Sequence, residues 1–380
     1  MKKIILSVLI LIGTGAVYAQ PKKNPFLWEK GNTSIKLGGF VRVVTSADFD
    51  GSLPNNDFIV SSIPVPQPWD NKGRFGLDAS ASRINLEVVQ KIDGVGDLKF
   101  FIESDFRGGG DVLRLRQAYV SFLGITAGQA WSFMYDAAAH APTVDIQGDD
   151  SRTFFRVPLI GYSRAFGNYF SAGAAVEYPK SKITTTTGVK SVTQRIPDFP
   201  LYIQFKTSRG HLKLAGVLRG IQYGNTQTEK IKSEFGWGVQ LSGSVKPVRF
   251  LTLYGQGIYG EGIGRYINDL ASLSVDLMPD YNEEGVMKAL PMYGFSFGAR
   301  ADLSKKFYAS ANFAQASLDD QADYTIAGDY RKGTYVSGTL FWKAFRNMTI
   351  AVEYLYGNRE NMNRESGQAN RMQLMLKYNF

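Results

Sequence analysis

The chain contains no cysteine and only two histidines, His140 and His211, among its 380 residues. The absence of thiols excludes a disulfide scaffold and a thiolate metal site. Two histidines also leave few ligands for zinc catalysis and few bases for an acyl-transfer triad. We therefore expect neither a metal nor a cofactor.

Long hydrophobic runs are also missing. After the first twenty residues, no stretch approaches the roughly 18 consecutive apolar residues that indicate a transmembrane helix. The chain does contain 40 glycines, 25 phenylalanines and 20 tyrosines, which is typical of many strands joined by turns. A helical membrane protein and an intrinsically disordered chain are both excluded.

The first residues have the features of an export signal. Lys2 and Lys3 precede an apolar run from Ile4 to Ile12, and Ala19 provides a small residue at the cut position. This order of charged, apolar and small residues is typical of a secretory signal peptide. We predict cleavage after Ala19.

Alternation of apolar and polar residues recurs in segments of about ten residues, as in transmembrane strands. The C-terminus is the clearest example, because Met372, Leu374 and Leu376 share one face of a strand while Gln373 and Lys377 share the other. Aromatic residues near the segment ends suit the girdles that lie at membrane interfaces.

Turn signals divide the chain into sixteen strands, with seven short turns alternating with eight outer connections. The predicted outer connections are residues 50–72, 108–112, 136–155, 180–197, 225–233, 265–291, 319–333 and 358–370. The predicted fold class is therefore all-β, a transmembrane antiparallel β-barrel of sixteen strands. The predicted domains are a signal peptide over residues 1–19, a short periplasmic segment over residues 20–33 and the barrel over residues 34–380.

Strand parity, with the apolar face turned to lipid, places more bases than acids inside the barrel. A sixteen-stranded barrel leaves an aqueous channel, and a basic wall should concentrate anions in it. Alternatively, each arginine pairs with a carboxylate and only stabilises the wall. The predicted pore-lining and substrate-binding residues are Arg42, Arg83, Glu103, Asp105, Arg107, Arg114, Arg116, Arg164, Arg219 and Arg300. Parity also turns Lys206, Lys213, Lys343, Arg371 and Lys377 inward.

The connection after the fifth strand is rich in charged residues, and we predict that it folds into the barrel. Its acids would then oppose the basic wall across a narrowed lumen and set a size limit. A solvated surface loop is the alternative. The predicted constriction-loop residues are Asp136, His140, Asp145, Asp149, Asp150 and Arg152.

Residues 255–260 match the dinucleotide-binding pattern G-x-G-x-x-G, but they lie inside an alternating strand with no helix after them. We therefore interpret these glycines as positions where the barrel wall packs closely or bends.

Five segments resemble the DcaP-like porins of Gram-negative outer membranes. They are Gly39–Arg42, Ala81–Ile84, Phe101–Phe106, Leu113–Val120 and Ala127–Ser132.

The resemblance implies a homotrimeric sixteen-stranded channel for small anionic solutes, dicarboxylates included. It also implies that Arg42, Arg83, Arg114 and Arg116 line the pore. Better-known members of the family carry a long N-terminal helix, for which residues 20–33 are too few. Contacts between subunits would therefore involve the barrel walls alone.

The resemblance further implies a location in the bacterial outer membrane, with lipid and lipopolysaccharide as neighbours and no nucleic-acid partner. Phe380 would be the signal that the barrel-assembly machinery recognises on the last strand. We predict a passive diffusion channel without enzymatic activity.

Two alternatives remain open. An outer-membrane barrel enzyme of the lipase or protease type needs a nucleophile and a base placed together, and neither histidine has a serine motif beside it in the sequence. The other alternative is a structural barrel or adhesin without an open pore.

Overall fold

The computed structural model describes residues 26–53, 56–109 and 112–380. The predicted signal peptide and the start of the periplasmic segment lie outside the described residues. Within the described ranges, no helix is long and apolar enough to cross a membrane.

Sixteen antiparallel strands of the described chain close into one barrel, and we number them β1 to β16 in chain order. They are β1 Thr33–Asp50, β2 Arg74–Asp78 with Arg83–Ile92, β3 Gly96–Asp105, β4 Arg114–Phe122, β5 Ile125–Trp131, β6 Arg156–Phe166, β7 Phe170–Glu177, β8 Phe199–Thr207, β9 Gly210–Asn225, β10 Lys230–Val248, β11 Leu251–Glu261, β12 Pro291–Asp302, β13 Phe307–Leu318, β14 Tyr330–Phe345, β15 Met348–Asn361 and β16 Ser366–Asn379.

Pairing between the first and last strands closes the barrel. Arg42 of β1 lies opposite Lys377 of β16, and Phe40 of β1 lies opposite Arg83 of β2. All other neighbours in the ring are consecutive in sequence. Closure pairs the backbone groups of each strand on both sides, as a β-structure in lipid requires. The prediction of a sixteen-stranded barrel is confirmed.

The side chains alternate between the two faces of the wall as predicted. In β16, Met372 and Leu374 are exposed on the outer face, whereas Arg371, Gln373 and Met375 are buried on the inner face. This alternation follows from the two-residue period of a strand. It places apolar side chains where lipid would lie.

Two of the predicted outer connections are much shorter than expected. Residues 226–229 join β9 to β10, and residues 362–365 join β15 to β16. The polar sequences that suggested loops instead continue the paired strands. A strand that extends beyond the lipid can keep its backbone pairing with polar side chains on both faces. The prediction from polarity alone therefore ended these strands too early.

Three outer connections fold inward and form the apolar core. Residues 51–53 and 56–73 place Phe58 against Tyr335 of β14, and residues 262–290 bury Leu270 completely. The third is the connection after β5. The sequence predicted an inward fold only for this third connection.

The C-terminal residue docks onto the first strand. The backbone N–H of Phe380 donates to the carbonyl oxygen of Gly39 at 3.1 Å, and its ring lies 5.7 Å from that of Phe26. Gly39 has a φ of 155°, and a Cβ atom there would come within 2.9 Å of the Phe380 ring. Only glycine combines this backbone angle with the close approach.

Candidate functional site

Residues 132–155, which we call the constriction loop, cross the lumen from β5 to the opposite wall. Gln240 of β10 donates to the carbonyl oxygen of Met134 at 2.8 Å. Ser310 of β13 donates to the carbonyl oxygen of Pro142. The inward fold of this connection is therefore confirmed, and the loop narrows the barrel.

Asp136 anchors the beginning of the constriction loop. Its Oδ2 lies 2.8 Å from His211 Nε2 and accepts a hydrogen bond from Ser242 Oγ at 2.7 Å. Lys213 Nζ donates to the carbonyl oxygen of Tyr135 at 2.7 Å. Burial alone would raise the pKa of Asp136, but the hydrogen bonds from His211 and Ser242 lower it below its ordinary value. The carboxylate therefore stays charged in the anchor.

His211 also contacts a serine, contrary to the expectation from sequence. Its Nδ1 lies 3.1 Å from Ser244 Oγ, so Ser244, His211 and Asp136 form a chain of polar contacts. The register of β9 and β10 places His211 opposite Ser244, although 33 residues separate them. No local motif could have revealed this pair.

Glu353 of β15 holds the tip of the constriction loop. Its two carboxylate oxygens accept the backbone N–H groups of Val144 and Asp145 at 2.8 and 2.6 Å. On the other side, Arg42 of β1 donates to the carbonyl oxygen of Val144. The Asp145 carboxylate turns back into the loop and accepts the backbone N–H of Gly148 at 2.8 Å.

The remaining acids of the constriction loop are also buried. His140 Nδ1 lies 2.8 Å from Asp149 Oδ2. Within the described ranges, Asp150 Oδ2 has no hydrogen-bond partner. Burial raises the pKa of Asp145 to about 6. Burial, together with the charge of Asp269, raises the pKa of Asp150 well above its ordinary value.

The opposition of loop acids and wall bases stays a prediction, in which Asp145 lines the same cavity as Arg42 and Lys377. Among the described residues, Asp149 pairs with His140 of the loop and Asp136 pairs with His211 of β9. No loop carboxylate of these residues forms an ion pair with an arginine or lysine of the wall. The physical reason is that loop amides and neighbouring side chains satisfy the acids first, as they do for Asp145. The positive charge of the wall is therefore not cancelled by the loop.

Most of the predicted pore-lining arginines form ion pairs with carboxylates of the wall or of the connections that pack against it. Arg116 is buried between Glu103 and Asp105, with N–O distances of 2.7 and 2.9 Å, and Arg114 lies 2.6 Å from Asp105. Further ion pairs of 2.6–3.1 Å join Arg107 to Asp57 and Asp78, Arg219 to Asp198 and Asp276, and Arg300 to Asp302. These arginines therefore follow the alternative that each one pairs with a carboxylate and stabilises the barrel.

Arg164 does not face the lumen, and its prediction as a pore-lining residue is wrong. It is exposed and shares one face of β6 with Ile160, Tyr162 and Phe166. The buried Val157 sets the inner face of this strand. An even spacing from these lipid-facing residues turns Arg164 outward.

A cavity of about 410 Å³ lies between the constriction loop and the wall, and basic side chains surround it. Its basic lining residues are Arg42, Arg83, Arg152 and Lys377. Arg83 lies 3.8 Å from Glu103. The other three form no ion pair with any residue of the described chain, so this cavity keeps a net positive charge.

Aromatic rings, rather than carboxylates, hold several of these cations. Lys377 Nζ and Arg83 Cζ lie 4.1 and 5.3 Å from the centre of the Phe40 ring. Arg152 Cζ lies 3.7 Å from the centre of the Phe154 ring. A cation–π contact positions a cation without cancelling its charge. The cavity is thus lined by oriented bases, of which Arg42, Arg152 and Lys377 have no ion-pair partner among the described residues.

Sequence reasoning missed Arg156 and the aromatic residues around it. Arg156 Cζ lies 4.7 Å from the centre of the Trp131 ring, and Trp131 stacks on Tyr135 at 4.2 Å. Arg156 Nη1 is buried without a hydrogen-bond partner among the described residues. Parity within β6 could not select Arg156, because an even spacing from Ile160 and Arg164 assigns it to the outer face.

Comparison with known proteins places this geometry in context. The model of the family described as "Porin subfamily" matches residues 30–379. A sequence search of the curated proteins gives no match.

Several solved outer-membrane proteins have a similar structure. The outer membrane channel DcaP of Acinetobacter baumannii has a TM-score of 0.79 and 20% sequence identity, covering 93% of this chain and 99% of that chain. The anion-selective porin from Comamonas acidovorans has a TM-score of 0.59 and 12% identity, covering 92% of this chain and 100% of that one. OmpT of Vibrio cholerae, in a trimer form, has a TM-score of 0.58 and 12% identity, with the same coverage.

These identities establish the fold, and the family match extends over nearly all of the described chain. The closed barrel, the constriction loop and the cavity between them agree with that match. The chain belongs to the porin family and forms an outer-membrane channel.

Proposed function

We propose that this porin is a passive diffusion channel that prefers small anionic solutes, dicarboxylates included. The observation that carries the proposal is the charge around the 410 Å³ cavity, where Arg42, Arg83, Arg152 and Lys377 meet one acid, Asp145. The Asp145 carboxylate is directed to loop amides. A narrow passage of one charge sign raises the local concentration of the opposite ion.

The spacing of the wall bases suits a solute with two negative groups. Arg42 and Lys377 are register partners on adjacent strands, so their Cα atoms are about 5 Å apart. Arg83 lies on the strand beyond β1. Two carboxylates of one small molecule can therefore contact separate cations. The name of the anion-selective porin from Comamonas acidovorans agrees with the proposed anion preference.

We infer that the channel is a homotrimer. β5 and β7 contain seven and eight residues, fewer than the about 9–11 that a strand needs to cross a bilayer. The wall at β5 and β7 is too short to span the bilayer. Contact with a neighbouring subunit would cover it without exposing the strand ends to lipid. The trimer form of OmpT supports the same arrangement.

Export and assembly complete the proposal. The signal peptide over residues 1–19 directs the chain to the outer membrane, where lipid and lipopolysaccharide surround the barrel. The docked Phe380 provides the C-terminal signal for the barrel-assembly machinery. No nucleic acid and no cofactor take part, and solute crosses without covalent chemistry.

One observation favours the alternative of a barrel enzyme, namely the contacts among Ser244, His211 and Asp136. We assign them to the loop anchor instead, because Asp136 also accepts from Ser242 and from the backbone N–H of Ala138. A fluorophosphonate probe separates the two functions. The channel assignment predicts no labelling of Ser244, whereas labelling that His211→Gln abolishes would establish the enzyme.

Charge neutralisation inside and outside the lumen tests the proposed function. The double variant Arg83→Gln with Lys377→Gln should lower the anion-to-cation permeability ratio roughly eight-fold, because each of the two charges, about 7 Å away, contributes about 0.6 kcal/mol in water. Arg164→Gln removes a cation from the lipid-facing wall and is the matched control. Reversal potentials in planar bilayers report the ratio. Equal ratios in the double variant and the wild type would reject the proposal.

A further inference from the structure

A second, much smaller space adjoins the 410 Å³ cavity, with which it shares Arg42, Asp145 and Ile146 as lining residues. Its volume is about 10 Å³, which is room for about one water molecule. We call this space the outer passage. Its other lining residues include Ser46, Asn56, Asp57, Asp78, Arg107 and Gln373. The lumen along β1 is therefore much narrower here than in the cavity.

The order of residues along β1 places the outer passage on the outer side of the cavity. Phe40 and Lys377 line the cavity. The register partners Ser46 and Gln373 line the passage. β1 ends at Asp50, where an outer connection begins, so Ser46 lies nearer the outer end than Phe40 does. A solute that enters the cavity along this wall from outside therefore crosses the outer passage first.

The inward fold of the connection between β1 and β2 makes the outer passage narrow. Asn56 and Asp57 of this connection line the passage, and the next residue, Phe58, is completely buried. The Phe58 ring lies 6.1 Å from the ring of Tyr335 of β14. Burial of an aromatic side chain stabilises the segment that carries it. Apolar packing therefore holds Asn56 and Asp57 in the lumen.

Arg107, which follows β3, joins this connection to the wall. Its Nη1 donates to Oδ1 and Oδ2 of Asp57 at 2.6 and 2.8 Å, and its Nη2 donates to Oδ2 of Asp78 in β2 at 3.0 Å. The Arg107 and Asp57 side chains are 15% and 26% exposed, and ion pairs that water can reach are weak. Thermal motion can therefore separate Arg107 from Asp57 while Phe58 stays packed.

The outer passage also differs from the cavity in charge. Among the described residues that line the passage, the acids Asp57, Asp78 and Asp145 accompany two bases, Arg42 and Arg107. In the lining of the cavity, Asp145 is the one acid beside four bases. The passage therefore lacks the excess of positive charge that concentrates anions in the cavity. The two spaces select solutes by different properties.

We propose that the outer passage sets the size limit of the channel and that Asp57 and Arg107 are its specificity-determining residues. This inference rests on the proposed channel function and adds a second filter to it. Pore diameter and the charges at the narrowest point decide what a channel admits. The cavity concentrates anions, whereas the passage admits a solute larger than water only while Asp57 and Arg107 are apart.

Asp57→Asn tests the charge of the outer passage through reversal potentials in planar bilayers. Removal of this acid should raise the anion-to-cation permeability ratio roughly three-fold, because one charge about 7 Å away contributes about 0.6 kcal/mol in water. Asp57→Glu keeps the acid and should keep the wild-type ratio. The matched control is Asp302→Asn, which breaks an ion pair of 2.7 Å with Arg300 at the turn end of β12 and should leave the ratio unchanged.

Ser46→Gln tests the size of the outer passage, because it lengthens a lining side chain where the volume is about 10 Å³. The variant should lose most of the single-channel conductance at about 1 M salt, where charges are screened. Thr349→Gln is the matched control, because Thr349 lines the wide cavity, where a similar enlargement should leave most of the current. Heat-modifiable migration on gels verifies that each variant has folded.

Three results would overturn the proposal. They are an unchanged permeability ratio in Asp57→Asn, an equal rise in Asp302→Asn, and an equal loss of conductance in Ser46→Gln and Thr349→Gln. Asp78→Asn, which removes the other acid that accepts from Arg107, replaces Asp57→Asn if that variant does not fold. A wild type that conducts and prefers anions, together with any of these results, would reject the outer passage and keep the proposed function. A wild type that never conducts would reject both.

Discussion

The carboxylate of Glu353 accepts the backbone N–H of Asp145 at an N–O distance of 2.6 Å. These residues are 208 positions apart in the chain, and their contact joins β15 to the tip of the constriction loop. The second carboxylate oxygen accepts the N–H of Val144. One buried side chain therefore holds two consecutive backbone N–H groups at the tip of the loop.

Glu353→Gln should loosen the constriction loop while the barrel stays folded. A glutamine amide presents one oxygen, so a buried backbone N–H loses its charged acceptor, at a cost of about 1.5–3 kcal/mol. Single-channel recordings should show larger current fluctuations, and hydrogen exchange should accelerate at residues 144 and 145. Glu360→Gln is the control, because this half-buried carboxylate at the outer end of the same strand pairs with Arg331 and not with the constriction loop. Unchanged exchange in Glu353→Gln would contradict the anchoring role.

The seating of the constriction loop should depend on pH. Burial raises the pKa of Asp145 from its ordinary value of 3.8 to about 6, so the seated loop binds a proton more tightly than a released loop does. Protonation of Asp145 therefore stabilises the seated loop over the released loop by about 3 kcal/mol at most. This stabilisation is fully present below pH 4 and is lost as the pH rises through 6. The raised pKa of Asp150 extends the loss to higher pH.

Hydrogen exchange of residues 144–150, corrected for the intrinsic rate, should therefore be slower at pH 4.5 than at pH 7.5. Asp145→Asn mimics the protonated acid and should reduce the difference. Faster corrected exchange at the lower pH would contradict the sign of this prediction.

Arg116 should matter for stability rather than for selectivity. Its guanidinium is buried between Glu103 and Asp105, and removing one partner of a buried ion pair costs about 3–5 kcal/mol. Arg116→Gln should lower the temperature at which the barrel unfolds on gels, with a smaller change in reversal potential than Arg83→Gln causes. A stable variant that loses its anion preference would return Arg116 to the set of selecting residues.

Deletion of Phe380 should reduce the amount of folded barrel in the membrane. The residue closes the junction of β16 with β1 through its N–H bond to Gly39, and the ring fits where Gly39 has no side chain. The fraction of heat-modifiable protein in outer-membrane preparations measures folding. A deletion variant with the same abundance as Phe380→Tyr, which keeps an aromatic ring, would refute the assembly role.

The barrel could be predicted from the sequence because its signals are local. Alternation in segments such as Arg371–Lys377 and short turns such as 346–347 follow from strand and turn chemistry alone. The exact outer ends, at Asn225 and Asn361, could not be predicted, because polar strands above the lipid resemble loops.

The site was harder to predict because it depends on contacts between distant residues. Parity selected Arg42, Arg83 and Lys377 correctly as inward bases, but it could not tell them from Arg116, whose acids come from β3. It also misplaced Arg164, near the end of β6. Only tertiary packing brings Glu353 to the backbone of the constriction loop. The same is true of the aromatic rings that orient Arg83 and Arg152.

Reversal potential of the wild-type channel in a planar bilayer, under a potassium chloride gradient, tests the central claim most directly. The uncompensated bases around the cavity predict discrete conductance steps with anion preference, which should weaken at about 1 M salt as the Debye length falls to about 3 Å. A cation-preferring channel, or a folded barrel that never conducts, would contradict the account.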